Sequence, residues 1–167
     1  NNSSKGGADY IKKLAGLGVE IGPKEILTSG DATLEYLDAE GFDKDLLLIG
    51  TESLKRDFER AGYNPDAQKP KAVVLAFDTG LDFAKLTALC DAVRAGLHYI
   101  ATHPDVNCPI AGGKLPDAGA TIAFVEASAG RLPDIIVGKP NGLIAKAAAR
   151  RAGLPLDALC MVGDRLY

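Results

Sequence analysis

One pattern constrains the fold more than any other. Stretches with the three-to-four-residue spacing of an amphipathic helix trade places along the chain with short, mainly apolar runs. The helical stretches are Ala8–Leu17, Ala32–Ala39, Ser53–Ala61, Asp82–Ala95, Ala118–Ser128 and Gly142–Ala152. Between them lie EILTS, LLLIG, KAVVLAFD, LHYIATH, DIIVG and ALCMVG. These runs are too short for helices, and several end on Gly, Asp or Ser, where a chain turns, so strands are expected. Alternating strands and helices imply an α/β fold rather than a sandwich or a bundle. Gly96, Gly130 and Gly153 fall just past three of the helices, where a left-handed residue is favoured.

With 167 residues, 47% of them hydrophobic, the chain can bury one large core or two small ones. Its net charge is −3 and no run of Lys or Arg stands out; Arg150 and Arg151 end a helix, where cations suit the dipole. Nucleic acid is therefore not an expected partner. No apolar stretch approaches the ~20 residues that span a bilayer, so no membrane segment is expected. Cys90, Cys108 and Cys160 are odd in number and form no CxxC pair, which suits a reducing compartment, with the cytoplasm as the expectation. GYNPDAQKPK reads as a linker. HPDVNCPIAGGKLPDAG reads as a long Gly/Pro loop, and loops of that length inside compact domains are more often functional than idle.

In open α/β sheets, ligands sit beyond the carboxyl ends of the strands. Two strand-end residues stand out there. Lys139 follows DIIVG and could place a positive charge beside a phosphate. Asp164 follows CMVG and offers the hard oxygen that suits Mg²⁺. Each also has an ordinary explanation, since a Lys in a Gly-Pro turn is usually only solvated and an Asp suits turns and N-caps. The opening NNSS can be an N-cap or a cluster of donors at a helix N-terminus, which is a natural anion site. All three pieces offer what a phosphate and its metal need.

In combination these segments resemble the haloacid dehalogenase superfamily, in the branch of p-nitrophenyl, phosphoglycolate and pyridoxal phosphate phosphatases. NNSSKGGADYIKKLAGLGV looks like that branch's second motif. EILTSGDATLEYL, IATHPDVNCP, DAGATIAFVEASAGRLPDIIVGKPN and MVGDRLY follow in the family's order. The resemblance implies an incomplete Rossmann-like catalytic core, residues 1–40 and 133–167, carrying an inserted α/β cap over residues 41–132. It also implies that Asn1 and Asn2 bind phosphoryl oxygens, that Lys139 steadies the phosphate and nucleophile, and that Asp164 holds Mg²⁺. The family's Asp-x-Asp-Gly nucleophile motif and the Thr-Asp pair after VGDRL do not occur in these residues. The chain is thus expected to be the middle of a phosphatase, unable by itself to form the aspartyl-phosphate.

Two cap loops are expected to choose the substrate, a small phosphorylated metabolite: one with Phe77 and Thr79, the other with His103, Asn107 and Cys108. The branch more often has Asn or Asp where His103 stands, and the sequence shows no partner for that imidazole. It is equally readable as a turn residue before Pro104. Caps of this branch often pair, so a homodimer through the cap is a further expectation. The rival class is a non-catalytic module that binds phosphorylated metabolites or regulates. A generic dinucleotide-binding unit fits less well, because no G-x-G-x-x-G follows a strand.

Overall fold

The computed structural model describes residues 3–163, which leaves Asn1, Asn2 and Asp164 outside the described residues. Among the described residues the α-helices are α1 (Gly7–Ala15), α2 (Ser29–Ala39), α3 (Glu52–Arg60), α4 (Phe83–Arg94), α5 (Ala118–Ala129) and α6 (Gly142–Ala152). The strands among them are β1 (Leu46–Ile49), β2 (Ala72–Leu75), β3 (His98–Ala101), β4 (Asn107–Ile110), β5 (Gly113–Pro116) and β6 (Ile135–Ile136). Strands β1, β2, β3 and β6 make one parallel sheet in that order, with Leu46 opposite Ala72, Ala72 opposite His98 and Ile100 opposite Ile135.

The sheet is parallel and covered on both faces, which is why its strands, apart from His98 at the start of β3, are apolar rather than alternating with polar residues. Side chains point to opposite faces in turn. Leu46, Leu48, Val74 and Ile100 pack with Ala32 and Leu37 of α2, Leu54 and Phe58 of α3, and Ile144 and Ala147 of α6. Ile49, Val73, Leu75, Tyr99 and Ala101 pack on the other side with Leu89 and Val93 of α4 and Ile122 and Val125 of α5. No described helix is long and apolar enough to cross a membrane.

Three expectations change. EILTS, residues 25–29, starts at the last residue of a 3₁₀ turn (Pro23–Glu25) and runs into the N-cap of α2, without forming a strand. The Thr28 hydroxyl accepts from the Asp31 N–H at 3.0 Å and the Asp31 carboxylate accepts from the Thr28 N–H at 2.8 Å. That reciprocal box starts α2 at Ser29, three residues before the apolar spacing begins. ALCMVG, residues 158–163, follows a 3₁₀ turn at Leu156–Ala158 and forms no strand among the described residues, and Val162 is 92% exposed. A strand exists only by pairing, and none of the described strands bonds to this run. The Gly/Pro loop contains the antiparallel ribbon β4–β5, turned at Gly112 with φ 82°.

The sheet that lies within the expected cap, residues 41–132, pairs at β3 with β6 and is covered on one face by α2, α3 and α6.

Candidate active site

The hydrogen-bond ladder of the parallel sheet runs on past its strands. Ala76 N–H donates to Ile49 O at 2.8 Å, Thr102 N–H to Leu75 O at 2.8 Å, Val137 N–H to Ala101 O at 3.0 Å and Gly138 N–H to Thr102 O at 2.8 Å. Lys139, half-buried, comes directly after that last bond.

The chain's opening segment crosses this same carboxyl edge. Ser3, fully buried, accepts the Phe77 N–H on its Oγ at 2.9 Å, and its hydroxyl lies 3.0 Å from Thr102 Oγ1. Thr51, the N-cap of α3, donates its hydroxyl to Ser4 O at 2.8 Å. Residues 3 and 4 are thereby stitched to the ends of β1, β2 and β3. One carbonyl, Thr102 O, links that stitching to the segment bearing Lys139. The edge is therefore lined by backbone and hydroxyl groups with a lysine beside them, a setting suited to an anion.

Of the expected specificity residues, Phe77 and Thr79 line a pocket of ≈ 240 Å³ together with Leu115, Asp117 and Thr121. Asn107 and Cys108 lie on β4, the first exposed and the second half-buried. Tyr10 of α1 has its pKa raised, first by burial and then by the nearby Cys108 and Asp9. A cleft of ≈ 500 Å³ adjoins the edge, with Lys5, Asp9, Thr51, Arg56 and Lys85 in its wall.

His103 differs most from expectation. It is 0% exposed, so it meets no solvent-filled crevice, and it has the partners that the sequence does not reveal. Its Nε2 lies 2.9 Å from Asp117 Oδ1 and its Nδ1 lies 2.9 Å from Thr102 Oγ1 and 3.4 Å from Ser29 Oγ. Asp117 is the N-cap of α5 and also accepts the Ala118 N–H at 2.6 Å.

Sequence reasoning also missed Asp78 and Lys85. The Asp78 side chain is only 2% exposed. It accepts the Gly80 N–H at 2.8 Å and pairs with Lys85 Nζ at 2.7 Å, while Lys85 also donates to Gly80 O at 3.0 Å. The Asp-x-Gly spacing of a side-chain-closed turn was the available signal.

His103, Asp105 and Asp117 place one ligand atom each within 4.8 Å of one another. This donor set does not fit Mg²⁺, which prefers oxygen ligands and retained waters. The site is enclosed, one ligand is a nitrogen, and the His103 and Asp117 atoms already share a hydrogen bond.

The chain belongs to the haloacid dehalogenase-like hydrolases. A model described as haloacid dehalogenase-like hydrolase matches residues 1–64, and a second, of HAD-hydrolase-like proteins, matches residues 136–167. The acid sugar phosphatase of Staphylococcus haemolyticus is 33% identical over 165 residues, 98% of this chain and 62% of that protein. The crystal structure of a 4-nitrophenylphosphatase from Thermotoga maritima, 44% identical, superposes with a TM-score of 0.95 over 100% of this chain and 64% of its own. A glycerol phosphate phosphatase from Mycobacterium tuberculosis, in complex with calcium, is 25% identical with a TM-score of 0.83, over 91% of this chain and 45% of its own. The chain thus spans less than two thirds of each of these relatives.

Proposed function

We propose that these residues serve a phosphatase that hydrolyses small phosphomonoesters through an aspartyl-phosphate, with the sheet edge around Ser3 and Lys139 as its phosphate site. The observation that carries the reading is the bonding of Ser3 to Phe77 and Thr102, because Thr102 O also holds Gly138, the residue before Lys139. Two sequence motifs 135 or more residues apart along the chain thus share one anion-suited edge.

In this reading Lys139 neutralises charge on the transferring phosphoryl group, Asn1 and Asn2 donate to its oxygens, and Asp164 holds Mg²⁺. The metal would supply charge neutralisation at the phosphoryl oxygens. The attacking carboxylate belongs to the Asp-x-Asp-Gly motif, so these 167 residues alone should not turn over a phosphoester. The expected cap, residues 41–132 with β6 as its edge strand, would select the substrate through Phe77, Thr79, Asn107 and Cys108. A cytoplasmic location and pairing through the cap accompany the proposal.

The test is turnover of p-nitrophenyl phosphate with Mg²⁺ by the full-length protein and its Lys139→Ala variant. Lys139→Ala should lower kcat by ~10²-fold, the scale for removing one preorganised electrostatic group from a reacting centre. Full activity in that variant would refute the assignment. Phosphate binding without any turnover in the unsubstituted protein would favour the non-catalytic module.

A further inference from the structure

We propose that His103 is a positioning residue that fixes the Ser3–Ser4 segment from behind, through a buried hydrogen-bond chain that runs by way of Thr102 and ends on Asp117. The inference rests on the phosphatase reading above and deepens it.

The contacts form one continuous chain. Ser3 Oγ accepts the Phe77 N–H at 2.9 Å and lies 3.0 Å from Thr102 Oγ1. Thr102 Oγ1 lies 2.9 Å from His103 Nδ1, with Ser29 Oγ at 3.4 Å from the same nitrogen. His103 Nε2 lies 2.9 Å from Asp117 Oδ1, which also accepts the Ala118 N–H at 2.6 Å and is thereby fixed at the start of α5. The imidazole thus bridges a helix N-cap and the hydroxyl pair that holds Ser3.

Ser3 is thereby a buried strut for the segment that it begins. Asp117 also ends the β4–β5 ribbon, where its N–H donates to Val106 O at 2.9 Å, so the ribbon and the Ser3–Ser4 segment hang on the same chain. Ser3, Thr102 and His103 are all 0% exposed and Asp117 is 5% exposed, so water cannot replace a missing member.

The experiment uses the full-length protein with Thr102→Val, Thr102→Ser and His103→Phe, and reads three quantities. These are the Ki of inorganic phosphate against p-nitrophenyl phosphate, the split between KM and kcat, and hydrogen exchange at the Phe77 amide. Thr102→Val should raise the phosphate Ki and the KM by about tenfold, the effect of losing one buried hydrogen bond at the loop, and change kcat less. Exchange at Phe77 should quicken selectively, and Thr102→Ser should restore all three. His103→Phe should match Thr102→Val if it folds, and the threonine pair decides the matter if it does not. A Thr102→Val protein with lower stability but unchanged Ki and unchanged Phe77 exchange overturns the proposal, because a structural role alone predicts that. If the unsubstituted protein neither binds phosphate nor hydrolyses the ester, the phosphatase reading fails, and Phe77 exchange still decides whether the chain exists.

Discussion

Replacing Gly119 by Ala tests the wall behind the site. Gly119 is the second residue of α5, and its N–H donates to Asp105 O at 2.8 Å. A Cβ there would lie 2.2 Å from Pro104 O, 2.8 Å from Asp105 C and 2.9 Å from Asp105 O. All three are backbone atoms, so no side chain can swing aside and the 104–105 segment itself must move. Overpacking of this kind costs about 1–3 kcal/mol, and loss of the Gly119 hydrogen bond adds about 1. Helix propensity opposes this, because Ala is favoured over Gly by up to about 1 kcal/mol. The net is a destabilisation of about 1–3 kcal/mol, or about 2–12 °C in Tm for a chain of this size. Gly142→Ala, at the first residue of α6, is the control, since a Cβ there meets nothing within 4 Å, and it should leave Tm unchanged or slightly raised. Thermal unfolding followed by circular dichroism reads both. A Gly119→Ala protein as stable as its parent would show that the 104–105 backbone does not rest on α5 as described.

Tyr99 is fully buried, its hydroxyl has no hydrogen-bond partner among the described residues, and burial pushes its pKa up. Tyr99→Phe should therefore leave stability unchanged or raise it by about 1 kcal/mol, and a clear fall in the urea midpoint would reveal a missed partner. For Asp134, burial alone would raise the pKa, but the Tyr99 N–H at 2.7 Å and the Arg131 guanidinium outweigh it and hold the carboxyl below its usual value. A folded pKa below the unfolded one means stability that is present at neutral pH and lost as pH falls below about 4. Asp134→Asn should thus lower Tm at pH 7, with the gap from the parent closing in acid. A gap independent of pH would assign the effect to geometry rather than charge.

How much of this was readable in advance depended on how far apart the cooperating residues lie. The helix α6 has the bounds that the apolar spacing gives, Gly142–Ala152, because its pattern and the Gly153 cap at φ 67° are both local. Helix α2 begins earlier than its apolar spacing because a capping box is a polar signal, and the Thr-x-x-Asp at 28–31 was there to be seen. Strands obey a different rule. ALCMVG is at least as apolar as DIIVG, yet only DIIVG joins the sheet, because β3 has an edge that accepts it at Ile100 and Ala101. The ribbon β4–β5 was hidden by Pro109 and Pro116, which argue against strands when read one residue at a time.

The site divides in the same way. Lys139 stood out because a strand end is a local feature with a general meaning in parallel sheets. The chain behind it links residues 99 positions apart at Ser3 and Thr102 and 14 apart at His103 and Asp117. In the sequence His103 stands alone. Its meaning is decided by which hydroxyls and carboxylates the fold brings to its two nitrogens, and a side chain so enclosed can act on a phosphate only through Thr102 and Ser3. That is why a substitution at His103 should alter how tightly the sheet edge beside Ser3 holds phosphate before it alters which ester is chosen.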